Sequence, residues 1–311
     1  MIDCPIISII IPVYNSLYIE ESIKSCVAQS IGREYLEIII INDASNDKTK
    51  EILSELSEKY AIKIIHLKNN SGPAAARNSG MESATGKFIS FLDSDDMMKK
   101  DKLEKQLNYL TDKPDVDIVI SGIDEVNQNG DFIRNLVRPF STDKQKQIEI
   151  IFLDNLHTIT STLIFRREIL ESAGYMNSEL LNLEDMDFAI KLINVGEIYY
   201  YPEGLTIRRV LSSGLSQSVS ESIFLESRKM FYKSATTIFP FLKKMEHKYW
   251  SLNYGRLGRI LQKSGLGDRA RKFHMRSIKH KVNMIGLGGY FLSFSPNRLQ
   301  KFIATKNWRK H

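Results

Sequence analysis

The chain of 311 residues is 42% hydrophobic and 26% charged, the balance of a globular protein with room for one large domain and an appendage. Its two cysteines, Cys4 and Cys26, are too few for a disulfide framework and stand at no metal-ligand spacing, so both are expected to be reduced, as in a cytosolic protein. No leader and no run of roughly 18–20 apolar residues is visible, which argues against secretion and a membrane span, and the net charge of +6 divides into −10 over residues 1–220 and +16 over residues 221–311.

Residues 6–13, IISIIIPV, predict a buried strand that ends at Pro12. A turn at Tyr14, Asn15 and Ser16 leads into a helix over 18–30, where Ile19, Ile23, Cys26 and Val27 recur at helical spacing. A second strand over 36–41 stops at the loop and cap residues 42–47, and a helix follows over 48–60. The pattern then predicts a strand over 62–67, a loop over 69–73, a helix over 74–84 and a strand over 88–92. Strand and helix thus alternate four times, which argues a mixed, mostly parallel α/β sheet with helices on both faces. Beyond residue 96 the pattern loosens. It predicts a helix over 99–110, a strand over 116–121 and a hairpin within 123–132 about the Asn129-Gly130 turn. Helices over 144–153, 166–173 and 184–195 and strands over 161–165 and 197–201 complete this part. Insertions of this kind after a regular half build the pocket for a second substrate.

In a doubly wound sheet the carboxyl ends of the strands share one edge, where ligands bind. The polar clusters of this chain fall there: Tyr14 with Asn15, Asp43 with Asp47, and Asp93, Asp95 and Asp96. Three acids in four residues repel one another unless a cation or a hydrogen-bonding ligand offsets part of the charge. They form either an oxygen-ligand site for Mg²⁺ or Mn²⁺ or a solvated acidic turn that caps the next helix. The glycine-rich dinucleotide fingerprint and the GxxxxGK[ST] phosphate loop are both absent.

The motifs Pro12-Val13-Tyr14-Asn15, Asn42-Asp43-Ala44-Ser45-Asn46-Asp47, Gly72-Pro73-Ala74-Ala75-Ala76-Arg77-Asn78, Leu92-Asp93-Ser94-Asp95-Asp96 and Glu184-Asp185-Met186-Asp187-Phe188, in that order, resemble a glycosyltransferase of family 2 with the GT-A fold. The resemblance covers residues 1 to about 215 and implies inverting transfer of a sugar from a nucleotide donor. It implies Asp95 as the metal ligand for Mn²⁺ or Mg²⁺, with Asp93 or Asp96 on the ribose, the metal's water shell or the donor sugar. It also places Asp43 on the base or ribose, Tyr14 against the base, the Pro12 backbone and Asn15 beside it, and Arg77 near the nucleotide. A packing role for Tyr14 and an ion pair of Arg77 to Asp43 or Asp47 are the structural alternatives. The resemblance makes Asp185 the candidate for the base that deprotonates the acceptor hydroxyl, with Glu184 as the alternative, at an expected helix N-terminus that would favour the ionised form. Asp187 is read as structural. Relatives carry a histidine where this chain has Leu211, and Arg208 or Arg209 is the replacement source of positive charge. His66 and His157 read as structural.

Residues 216–311 form a basic helical region beside a transferase domain at 1–215, itself divided into a nucleotide half (1–100) and an acceptor half (101–215). Helices are expected to break at Pro240 and near Gly265 and Gly267. Residues 282–297 carry no charge, and Lys279 and Lys281 before them and Arg298, Lys301, Lys306, Arg309 and Lys310 after them suit contact with an anionic membrane. A basic helical cap is the alternative. The resulting expectation is an enzyme at the inner face of the cell membrane. It would use a UDP-sugar and a glycan or polyprenyl-diphosphate-linked acceptor in O-antigen or capsule synthesis, and bind no nucleic acid. The competing reading is a membrane- or nucleic-acid-binding protein with a degenerate donor site.

Overall fold

The computed structural model describes residues 6–137, 141–153, 160–211 and 220–294. The chain separates into two compact units, residues 1–212 and 213–311.

The first unit begins with the expected alternation. β1 (Ile7–Val13), α1 (Ile19–Val27), β2 (Leu36–Asn42), α2 (Thr49–Lys59), β3 (Lys63–His66), α3 (Gly72–Ser83) and β4 (Phe88–Phe91) follow in turn. β1 pairs in parallel with β2 and β4, and β2 in parallel with β3. The isoleucines of β1 and β2 are buried on both faces because helices cover both sides. β3 is the exception: Lys63 and His66 are exposed, which suits the edge of the sheet. Helix α3 lies so close to β1 that a Cβ on Gly80 would stand 2.3 Å from Ile10 Cγ2. Gly72 and Pro73, expected in a loop, are instead the first residues of α3, where a proline lacking its N–H removes only an unpaired donor.

The second half adds β5 (Met97–Met98), α4 (Lys102–Asp112), β6 (Ile118–Val126), β7 (Phe132–Leu136), α5 (Lys144–Phe152), β8 (Ile164–Arg166), α6 (Leu170–Ala173), α7 (Glu184–Val195) and β9 (Ile198–Arg209). The nine-stranded sheet runs β3-β2-β1-β4-β8-β6-β9-β5, with β7 on β6. β8 joins the two halves by antiparallel pairing to β4 and β6. Two expectations are corrected here, and one strand was not expected at all. The strand expected over 161–165 starts at Ile164, and Thr160–Thr162 is a 3₁₀ turn. The strand expected over 197–201 continues to Arg209, because the pairing jumps from Ser121 opposite Tyr201 to Gly122 opposite Gly204 and leaves Pro202 in the bulge. The two-residue β5, pairing with Thr206 and Ile207 of β9, is too short to show in a sequence pattern.

In the second unit α8 (Glu221–Ile238) ends before Pro240, which opens a 3₁₀ turn (Pro240–Met245). α9 (Glu246–Lys263), α10 (Gly267–His280) and α11 (Met284–Leu292) then pack together through small residues. A Cβ on Gly258 or Gly289 would fall 2.6 and 2.2 Å from His274 Cε1. No helix among the described residues is long and apolar enough to cross a membrane.

Candidate active site

The carboxyl edge of the parallel strands carries the acidic turn. Asp96 N–H closes it on Asp93 O at 3.0 Å. Two serines near the start of the chain hold its carbonyls: Ser16 Oγ donates to Ser94 O at 2.9 Å, and Ser22 Oγ donates to Asp96 O at 2.7 Å. Asp93 N–H donates to Ser161 Oγ at 3.0 Å. These serines carry no sequence motif, and only the fold brings them to the turn.

The three acids differ in surroundings. Asp93 is partly exposed, and its Oδ1 accepts from Arg77 Nη2 at 2.6 Å. Burial, and then the charge of Asp93, push the Asp95 carboxyl up to about 6. Arg209 and Arg208 oppose that rise. Asp96 is 2% exposed; its Oδ1 accepts the Arg209 N–H at 3.2 Å, and its Oδ2 is buried without a full hydrogen bond. Burial and the charges of Asp93 and Asp95 raise it well above the ordinary carboxylate range. Asp95 is a hard oxygen donor whose ionised form is disfavoured, and a divalent cation would relieve it. Among the described residues no group of three or more His, Cys, Asp or Glu is arranged to hold a metal. Asp95 is thus a single carboxylate donor beside Asp93, a set that could hold a cation only if phosphate and water supplied most of its ligands.

Arg77 joins this turn to a distant part of the chain. Its side chain is 5% exposed, and its fork spans Asp93 Oδ1 and, at 3.3 Å, Glu184 Oε1. Burial works against its charge, yet Asp93, Glu184 and Asp185 hold it firmly protonated. An ion pair to Asp43 or Asp47 is not the arrangement found. Asp43 instead accepts the Ser71 and Gly72 N–H groups at 2.7 and 2.8 Å, which fixes the start of α3. Each of its oxygens keeps a second lone pair.

Glu184 and Asp185 open α7, as expected. Phe188, one turn on, packs edge-on against Phe91 of β4 and Phe165 of β8 at 6.3 and 5.9 Å, which sets the position of the helix. Asp185 Oδ1 accepts its neighbour's N–H, Met186, at 2.8 Å. Asp187 is buried and faces Lys191 at 3.1 Å.

Among the described residues, the non-glycine residues with positive φ are Asn15 (49°), Ala44 (57°) and Leu183 (71°). They stand after β1, after β2 and just before Glu184. Backbone strain of this kind persists where surrounding contacts enforce it and gathers at functional sites. Asn15 is enforced by exchanged bonds with Asn46: Nδ2 donates to Asn46 Oδ1 at 2.7 Å, and Oδ1 accepts Asn46 N–H at 3.0 Å. Pro12 lies in β1, opposite Ile41. Tyr14 is 44% exposed.

At the Leu211 end of the site, Arg208 pairs with the buried Glu125, which also takes Arg134 of β7. Arg209 pairs with Glu21 at 2.6 Å and lies over the Tyr18 ring at 4.2 Å. His66 contacts Asn42 through Nδ1 at 3.1 Å. His157 and residues 212–216 of the departing segment lie outside the described residues.

Residues 8–174 match the model of the family described as glycosyl transferase family 2. A putative teichuronic acid biosynthesis glycosyltransferase, TuaG, of Bacillus subtilis is 43% identical over 111 residues, 35% of this chain and 43% of that protein. The matched stretches span 43% to 66% of the length of the first curated relatives. S. aureus TarS 1-349 in complex with UDP-GlcNAc superposes with a TM-score of 0.60 at 20% identity, covering 93% of this chain and 90% of that one. The mannosyltransferase PcManGT of Pyrobaculum calidifontis, in complex with GDP-Man and Mn²⁺, gives 0.56 at 16% identity, covering 98% and 85%. At these identities the two structures speak to the fold, which is the GT-A arrangement expected from the sequence.

Proposed function

The chain belongs to glycosyl transferase family 2, and from that premise we propose that it is an inverting glycosyltransferase that moves a sugar from a UDP-sugar, with Mn²⁺ or Mg²⁺, to a glycan hydroxyl. The observation that carries this reading is the Arg77 fork, which ties the acidic turn at Asp93 to the acid pair that opens α7. A transferase needs its leaving-group site and its base within reach of one sugar, and residues 77, 93 and 184 supply such a join.

In this reading Tyr14 flanks the base, Pro12 and Asn15 line it, and Asp43 accepts from the base or ribose with its remaining lone pairs. Asp93 and Asp96 flank the ribose and the metal's water shell, while Asp95 holds the cation. When bound, the cation offsets the charge that builds on the departing diphosphate. Asp185 is the base, with Glu184, which pairs with Arg77, as the alternative. It takes the acceptor hydroxyl's proton as that oxygen bonds to the anomeric carbon. The bond from that carbon to the diphosphate oxygen breaks, UDP leaves, and the centre inverts. Arg208 and Arg209, whose charges already favour ionised Asp95, supply positive charge on the Leu211 side. The name of TuaG, which speaks of teichuronic acid biosynthesis, supports a role in surface-polysaccharide synthesis, and the acceptor in this reading is lipid-linked and of O-antigen or capsule type. The basic charge of residues 221–311 supports peripheral contact with an anionic membrane, placed in this reading at its inner face.

The test is thermal shift with a panel of UDP-sugars, with and without Mn²⁺. Metal-dependent stabilisation by one of them, lost in Asp95→Ala, is the expected result. No shift with any UDP-sugar or other nucleotide would mean a degenerate donor site.

A further inference from the structure

Helix α11 has two unlike faces. The inner face is made of Gly286 and Gly289, both buried, and it has no room for more: added Cβ atoms would stand 2.8 Å from Ser277 Oγ and 2.2 Å from His274 Cε1. Its start is pinned by Asn283, whose Oδ1 accepts Gly286 N–H at 2.8 Å while its Nδ2 donates to Ser251 Oγ at 2.6 Å and Ser277 Oγ at 3.0 Å. The helix therefore cannot roll about its axis without breaking these bonds or forcing a larger residue against α10. What it turns outward is fixed by this docking. Met284 is 73% exposed and Phe291 69%, and the seven-residue spacing puts them on one face. Val282 (65%) and Phe294 (60%), just outside the helix at either end, are exposed as well.

Four large apolar side chains this exposed within thirteen residues call for a partner. The charge around them says which. Lys279 and Lys281 stand exposed just before Val282. At the other end Arg271 donates through Nη2 to Ser293 O at 3.0 Å, with its guanidinium 4.1 Å from the Phe294 ring. The outer side of α10 adds exposed Lys272 and Arg276. α11 itself is uncharged, and its nine residues amount to about 14 Å of helix, less than half a hydrocarbon core. A short apolar helix laid flat against its own domain, with cations at both ends, is suited to lie in a membrane interface and cannot cross it.

We propose that the outward face of α11, led by Met284 and Phe291 and flanked by Lys279, Lys281 and Arg271, is an insertion surface for an anionic lipid bilayer. This deepens the membrane contact of the previous section by assigning it to a face. The lipid contact is then hydrophobic in depth and electrostatic in selectivity. The inner glycines serve to present that face, so inner and outer positions have separable effects.

The experiment is flotation of the full chain with vesicles of phosphatidylcholine alone or of phosphatidylcholine with phosphatidylglycerol. It is run alongside UDP-sugar thermal shift and sedimentation of the free protein. The expected result is binding to the anionic vesicles only, reduced at least about tenfold in Met284→Glu/Phe291→Glu, with melting temperature and nucleotide response unchanged. Lys279→Gln/Lys281→Gln is expected to weaken binding by about 30-fold, at roughly 1 kcal/mol for each of the two lysines near the surface. Full binding by the double glutamate variant overturns the proposal, because the basic charge alone would then suffice. Failure of the wild type to float also overturns it. So does dimerisation abolished by the glutamates without vesicle binding, which would make a second copy the occupant. A normal UDP-sugar response in a protein that does not float sinks the docking face and leaves the transferase reading intact. Flotation without any nucleotide response does the reverse.

Discussion

The two units bury polar groups in opposite ways. In the first, the buried polar groups of the strand-end loops are charged and crowded: Asp95 and Asp96 are pushed toward their neutral forms, and Arg77 is shared between two acids. The backbone is strained at Asn15, Ala44 and Leu183 beside them. In the second, the serine, glutamine and histidine side chains buried in the α9–α11 packing are neutral and bond across it, although His274 Nδ1 is buried without a partner. Ser251 and Ser277 exchange bonds with each other's backbone carbonyls at 2.8 and 2.7 Å, and Gln262 Nε2 donates to Gly289 O at 2.8 Å. Because Gln262 thereby offers His274 its oxygen, 3.1 Å away, the imidazole donates through Nε2. Burial, followed by the Arg259 charge, holds His274 neutral with its pKa down to about 4. A buried cluster that stores repulsion is poised for a ligand, whereas one that closes its hydrogen bonds is holding helices together.

Substitutions test that contrast from both sides. Arg77→Met should have the largest effect. It strips Asp93 and Glu184 of their shared cation and should cost about 3–5 kcal/mol in urea unfolding. Sugar transfer should fall at least about 100-fold, since a shift of the acids of about 1 Å suffices for that. Asp95→Asn should separate function from stability. Transfer should fall roughly 10²–10³-fold, while the ligand-free protein becomes more stable by about 2 kcal/mol at pH 7.5, because a desolvated, repelled charge is gone. The sign follows from linkage. The folded pKa of about 6 lies above the ordinary 3.8, so the wild type loses stability as pH rises through that window. The gain from Asp95→Asn should therefore vanish below pH 4, and a gain that persists there would refute the assignment.

Gly289→Ala probes the other region. Its Cβ has no space beside His274, so calorimetry should show a loss of about 1–3 kcal/mol. The UDP-sugar response should stay unchanged wherever the protein is folded. Ala44→Gly should be the smallest effect. Relief of the left-handed backbone outweighs the added freedom of the unfolded chain by about 0.5–1 kcal/mol, a rise in melting temperature of a few degrees. If Ala44→Gly destabilised the protein, strain would not be stored after β2 and the contrast between the units would weaken.

Much of the first hundred residues was legible. The isoleucine runs of β1 and β2 have no polar face, and such runs form strands only inside a covered parallel sheet. Tyr14 follows β1, Asp43 follows β2 and the Asp93 turn follows β4, so the acidic sheet edge followed from periodicity and the common direction of parallel strands. Glu184 and Asp185 were placed at the start of α7 by the same logic. β9 was not legible past Tyr201, because Pro202 ends a strand in any local pattern and only pairing with β6 around Gly122 carries the chain on to Arg209.

What the sequence by itself determined is therefore local and chemical: which segments are buried strands or helices, which acids stand at their ends, and that the last third is basic. Side-chain type and period are written in the chain and need no partner to be read. What only the tertiary structure decided is who meets whom. Arg77 passes over Asp43 and Asp47 for Asp93 and Glu184, Ser16, Ser22 and Ser161 hold the acidic turn, and Gly289 turns Met284 and Phe291 outward by leaving its inner side to His274. These depend on register, bulges and close approach between segments far apart in the chain, and no residue's own identity contains them.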